Sequence, residues 1–171
     1  ERGAEGFERG RNLDKVGQNS ADTSELFFND VRVPITNCLG EEGRGFAYLM
    51  NQLAQERLQI AIAGQAGAQR AFDEAVKFTK ERKAFGQSIF GNQVVRHLLA
   101  DCRAEIDCAQ AFVDQSTSEL CARTLTPERA ASCKLVCTEL QGRVTDRCVQ
   151  LHGGYGYITE YPIARAFLDA R

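Results

Sequence analysis

Two hydropathy periods divide the chain. Up to about residue 40 the apolar positions come in short extended groups, Leu26-Phe27-Phe28 and Val31-Arg32-Val33-Pro34, separated by the turn formers Asn29-Asp30. The polar run from Gln18 to Ser24, after Val16-Gly17, reads as an approach loop. Three or more strands with a partner layer are needed for a sheet to stand alone. Residues 1–40 are therefore expected to be the closing part of a β-domain that begins before Glu1.

From Gly43 the period becomes helical. Phe46, Leu49, Met50, Leu53, Glu56, Arg57 and Ile60 fall at steps of three and four, and the pattern continues through the Ala/Gly-rich stretch Ala61 to Ala68, whose small residues let a neighbouring helix approach closely, and on to Phe78. Gly86 and Gly91 then mark a loop. A second helix is predicted from Asn92, its N-cap, with Val95, Leu98, Leu99, Cys102, Ile106, Ala109, Phe112 and Val113 on one stripe. Thr126-Pro127-Glu128 supplies a cap, a first-turn proline and an acidic first turn for a third helix, which ends at Gly153-Gly154. A short fourth helix follows Pro162. The expected fold is mainly α, an up-and-down helical bundle over residues 41–171 behind the partial β-domain.

Composition leaves this picture standing. Of 171 residues, 43% are apolar and 26% charged, and the formal charge is −2. Charges of both signs are mixed along the chain, unlike the basic footprint of a nucleic-acid binder. No apolar run reaches membrane-spanning length and no signal peptide opens the stretch. A bacterial cytoplasmic or mitochondrial matrix protein is expected, not a secreted one, any targeting segment preceding Glu1. The seven cysteines are odd in number and form no CxxC pair. Cys102, Cys108, Cys121, Cys133, Cys137 and Cys148 are expected as small core residues in a reducing compartment, with no metal bound. Cys133 and Cys137, four apart, share a helix face, a weak signal for metal or redox chemistry.

Three features carry candidate chemistry. Glu56 falls on the apolar stripe of the first helix. A carboxylate there either pairs with an arginine to hold helices in register or serves as a general base beside an apolar channel. Glu81-Arg82-Lys83-Ala84-Phe85-Gly86 offers cations for a phosphate, or merely complements a helix C-terminus. Leu151-His152-Gly153-Gly154-Tyr155-Gly156-Tyr157 lets backbone approach a nucleotide, or is only a helix cap. With no strand leading into it, it is not a dinucleotide fingerprint.

Together these segments resemble the acyl-CoA dehydrogenase family. Asp22 to Phe28, Asp30 to Pro34 and Leu39-Gly40-Glu41 resemble the close of its middle β-domain. Gly43-Arg44-Gly45-Phe46, the Glu81 to Gly86 stretch, Gln93, and Gln150 to Gly156 followed by Glu160-Tyr161-Pro162 resemble its C-terminal helical domain. The resemblance implies an FAD enzyme, acting as a homotetramer (a dimer of dimers), that oxidises a fatty acyl-CoA to the trans-2-enoyl-CoA. A carboxylate removes the α-proton, a hydride passes to flavin N5, and electrons leave to an electron-transfer flavoprotein. Leu53-Ala54-Gln55-Glu56-Arg57-Leu58 looks like the long-chain type, which implies Glu56 as the base, with Ala47, Ala54, Gln55 and Arg57 lining the substrate site. Ala54 stands where proline or aspartate is often found. Arg82 is implied at the flavin pyrophosphate with Phe85 and Gln93 nearby, and Gln150, Leu151, His152, Gly153 and Gly154 at the ADP part, all toward a flavin held mainly by a neighbouring subunit. An isovaleryl or branched-chain dehydrogenase, and a flavin oxidase on the same fold, are the alternatives within enzymes; a helical interaction module is the alternative outside them. The stretch is expected to be inactive alone.

Overall fold

The first part of the chain is organised by one hairpin. Strand β1 (Phe7–Asn12) pairs antiparallel with β2 (Ser24–Phe28), Phe7 opposite Phe28 and Arg9 opposite Leu26, with a bulge between Arg9 and Asn12. The two facing rings lie 5.1 Å apart. The computed structural model describes residues 2–170 and divides into two units after Asn51. The extended segment Val31 to Pro34 is not a strand, contrary to expectation. The Asn29 N–H donates to the Gly6 carbonyl at 2.8 Å, Asp30 then adopts φ 51°, and the ladder ends before Val31. A 3₁₀ turn over Ile35–Asn37 follows.

The second unit is helical, as expected. Helix α1 (Gly45–Glu81) begins in the first unit and supplies the bundle with a stripe of small residues: Ala61, Gly64, Ala68, Ala71 and Ala75, after Leu58. The stripe predicted from large apolar residues is not the buried one. Glu56 is exposed, and Ile60 and Leu49 are 45% and 62% exposed. The reason is packing distance: a Cβ on Gly64 would lie 3.1 Å from the Cys137 carbonyl oxygen, so α1 meets its neighbour backbone to backbone and only small residues fit.

The segment after α1, expected as a loop, contains a minimal hairpin, β3 (Lys83–Ala84) with β4 (Gln87–Ser88). Its two-residue turn places Phe85 at φ 54° and Gly86 at φ 83°, the left-handed pair of a type I′ turn. Helix α2 (Gln93–Cys121) starts after Asn92, whose side chain makes no capping hydrogen bond, so only the boundary follows expectation there. Helix α3 (Pro127–His152) is capped as predicted: the Thr126 side chain accepts from Arg129 N–H at 3.2 Å. Helix α4 (Pro162–Asp169) closes the described chain.

Leu99, Ile106, Val113, Leu140, Val144 and Ile163 join the α1 stripe in one core. Cys102, Cys133, Cys137 and Cys148 lie in it, whereas Cys108 and Cys121 are exposed; they fall on the outward side of α2, a correction to their expected role as core residues. Burial raises the Cys137 and Cys148 thiols to about 12, so both stay protonated. Polar ties lock the helices. Arg147 of α3 donates to Glu105 of α2 at 2.6 Å, and Arg103 of α2 donates to Gln69 of α1 at 3.1 Å. Among the described residues no helix is long and apolar enough to cross a membrane, and no group of three or more His, Cys, Asp or Glu side chains is placed to hold a metal.

Candidate functional site

In an up-down-up bundle the first and third helices run parallel, so their C-terminal ends reach the same side. The contacts run in step: Gly64 by Cys137, Gly67 by Gln141, Phe78 against His152. Where both helices end, a cleft of about 510 Å³ opens. Phe78 and Arg82 line it from the end of α1, Ile89 from beyond β4, and Gln150 to Tyr155 with Ile158 from the end of α3. The volume falls in the range of small-molecule and cofactor sites.

The floor is aromatic. His152 is buried and stacks on Phe78 with centroids 4.3 Å apart. Its Nδ1 lies 2.7 Å from the Cys148 carbonyl oxygen. A carbonyl can only accept, so Nδ1 carries the proton and Nε2 the lone pair. Desolvation pushes the imidazole below its ordinary value, against the opposing pull of that carbonyl and of Glu74, so the ring is neutral at pH 7. Tyr155 meets Tyr161 at 5.0 Å and Phe78 at 6.0 Å.

The wall is bare backbone. Gly153 ends α3 at φ 57°, a left-handed conformation that disfavours any side chain, and its N–H returns to the Gln150 carbonyl. A Cβ at Gly153 or Gly154 would meet no atom within 4 Å, so the side left free by the missing side chains is open to a ligand. The turn is pinned behind them: a Cβ at Gly156 would strike the Val149 carbonyl oxygen at 2.5 Å. The cation is Arg82, with its guanidinium carbon 5.2 Å from the Tyr155 ring centroid. Open backbone, one arginine and apolar ring faces form a donor set suited to the phosphates and flat rings of a nucleotide.

Six of the residues singled out in the sequence are thus brought together: Arg82, Gln150, Leu151, His152, Gly153 and Gly154. Phe85 and Gln93 are not among the lining residues; Phe85 is fully exposed at its turn, and Gln93 is exposed at the first turn of α2. Phe78, Ile89 and Ile158 line the cleft without having been singled out, and Tyr155, inside the glycine-rich motif, lines it without having been given a contact of its own. Phe78 precedes Arg82 by one helical turn and shares its side, a spacing that could have flagged it; Ile89 and Ile158 carry no comparable signal.

The remaining candidates stand on α1, and none of them lines the cleft. Gln55 and Glu56 are exposed, and Ala54, Arg57 and Ala47 are half-buried. Glu56 lies on α1 and Arg82 directly follows its last residue, so a rise of ~1.5 Å per residue separates them by about 39 Å along the helix axis.

Comparison with known proteins follows this geometry. The family model described as "Acyl-CoA dehydrogenase, C-terminal domain" matches residues 43–171. The chain is 46% identical over all its 171 residues to a mitochondrial long-chain specific acyl-CoA dehydrogenase of Sus scrofa, covering 40% of that protein. It is 37% identical to a short-chain specific acyl-CoA dehydrogenase of Megasphaera elsdenii, covering 45% of it. The crystal structure of an acyl-CoA dehydrogenase from Geobacillus kaustophilus superposes with a TM-score of 0.96 at 45% identity, over 99% of this chain and 45% of that one. The chain thus spans less than half the length of these relatives.

Proposed function

Because the chain belongs to the acyl-CoA dehydrogenase family, we propose that it is the C-terminal part of an FAD-dependent enzyme that converts a fatty acyl-CoA to the trans-2-enoyl-CoA. The cleft at the joint ends of α1 and α3 carries this reading, since it pairs a cation with open glycine backbone and aromatic faces. Arg82 would hold the diphosphate, and Gln150 to Gly154 the adenosine side. When bound, the flavin supplies the acceptor for the β-hydride at its N5.

Glu56 takes the α-proton of the thioester on a carboxylate oxygen. It stands on the solvent side of α1, where a substrate can reach it, with Leu58 and Ala61 turned into the core behind it. A substrate and neighbouring protein covering that side would exclude water from the reacting atoms. Arg57, Gln55, Ala54 and Ala47 lie along the same stretch of helix as substrate contacts. The 46% identity to a long-chain relative supports a long-chain substrate.

The spacing along α1 supports a shared site. About 39 Å along the axis exceeds the length of an extended dinucleotide, which supports placing one subunit's Arg82 and Glu56 at different flavins. Each subunit contributes its base to one site and its arginine cleft to a neighbour's, within a homotetramer that passes electrons to an electron-transfer flavoprotein in the bacterial cytoplasm or mitochondrial matrix.

The test is anaerobic reduction of the full-length protein reconstituted with FAD. Addition of a long-chain acyl-CoA should bleach the flavin absorbance in the wild type and leave it unchanged in Glu56→Gln. Bleaching in both removes Glu56 from the role of base; bleaching in neither, with flavin bound, removes the substrate class.

A further inference from the structure

We infer that Tyr155 is a positioning residue for the cofactor phosphates: its ring holds the Arg82 guanidinium by one face and leaves the edges free for the ligand. The inference rests on the flavin reading of the cleft and adds to it a residue that makes no ionic contact of its own.

Arg82 sits just beyond the last turn of α1, and no carboxylate among the described residues pairs with it. An arginine left to solvent samples many rotamers, and ordering it on ligand binding is costly. Here its guanidinium carbon lies 5.2 Å from the Tyr155 ring centroid, inside the range of a cation–π contact. In a stacked contact of this kind the ring takes up only the flat face of the guanidinium. The five N–H donors lie in its plane and remain available for paired bonds to phosphate oxygens.

The platform is itself fixed. Tyr155 packs against Tyr161 at 5.0 Å and against Phe78 at 6.0 Å, and Phe78 in turn stacks on buried His152. The next residue, Gly156, is buried where a Cβ would strike the Val149 carbonyl, so the turn carrying Tyr155 cannot drift from the end of α3. The ring, not the hydroxyl, is the working part, and it acts through Arg82 rather than on the ligand.

A double-mutant cycle on the full-length apoprotein tests this, with FAD as the probe and its fluorescence change giving Kd. Tyr155→Leu is expected to weaken FAD binding about threefold to fivefold. Tyr155→Phe keeps the ring and should stay within about twofold of the wild type. In an Arg82→Gln background, Tyr155→Leu should cost nothing further. An equal loss in both backgrounds overturns the inference, because Tyr155 then contributes by another route. Equal losses for the Phe and Leu variants overturn it too, by assigning the effect to the hydroxyl. Failure of the wild-type protein to take up FAD overturns instead the reading on which it rests.

Discussion

Replacing glycine by alanine at three helical positions adds the same methyl group in three different surroundings. In a helix interior the exchange is worth about 1 kcal/mol in backbone propensity. At Gly142, in α3, a Cβ meets nothing within 4 Å, so a gain of about 0.5–1 kcal/mol is retained. At Gly67, in α1, it lands 2.4 Å from the Gln141 amide nitrogen, the far end of a flexible side chain. Turning that amide aside costs about 0.5–1.5 kcal/mol, and the net change is near zero. At Gly64 the neighbour is backbone: the Cys137 carbonyl oxygen at 3.1 Å and carbon at 3.2 Å, at a residue with no exposed surface. Relief there means separating α1 from α3, an overpacking cost of about 1–3 kcal/mol that meets or outweighs the propensity gain. Amide hydrogen exchange around Cys137 and Thr138 in the full-length protein reads the difference directly, since 1.4 kcal/mol is a factor of about ten in the opening equilibrium. Exchange should slow about twofold to fivefold in Gly142→Ala and accelerate by up to about thirtyfold in Gly64→Ala, with Gly67→Ala between them. If Gly64→Ala protected α3 as well as Gly142→Ala does, the close contact between the two helices would be wrong.

Other consequences are as direct. His152 has a folded-state value below the ordinary 6.5, chiefly through burial, so below pH 6.5 the unfolded chain takes up a proton that the native ring refuses. Stability should therefore fall as pH drops below 6.5, and His152→Phe should flatten that slope in urea titrations; an unchanged slope would refute the assignment. The Glu105 carboxyl is held low, chiefly by the hydrogen bond from Arg147, so its contribution is present above pH 4.5 and is lost as pH falls through the depressed value. The stability gap between wild type and Arg147→Met should narrow as pH is taken below 4.5, and a constant gap would count against it. Iodoacetamide on the native protein should label Cys38, Cys108 and Cys121 and spare Cys102, Cys133, Cys137 and Cys148 until denaturant is added, as mass spectrometry of the peptides would show. Thr126→Ala should cost about 1 kcal/mol and raise exchange at the first turn of α3; an unaffected first turn would mean that the cap contributes nothing.

What could be read in the sequence was what local chemistry decides. Thr126, Pro127 and Glu128 start α3 where expected because capping, a fixed φ and the helix dipole act within one turn. Strand β1 went unread because Phe7 is its one large apolar residue; backbone pairing with β2 makes it a strand. The close approach at the small residues Ala61 to Ala68 was legible, but the buried side of the first half of α1 was misread because Phe46, Leu49, Met50 and Ile60 dominate any hydrophobic count. From the residues alone the cleft was legible only in its pieces; the family resemblance is what assigned them to one flavin. Arg82 and Gly153 are far apart in sequence and meet only because α1 and α3 run parallel.

The length of α1 also has a genetic consequence. If its two ends serve two different sites, a Glu56→Gln subunit lacks a base at one site and an Arg82→Gln subunit weakens the flavin at another. In a mixed pair both lesions fall on the same site, and the neighbouring site carries neither. Two alleles that are inactive when expressed separately would then complement each other when coexpressed, because a rigid helix divides one subunit's errors between two reactions.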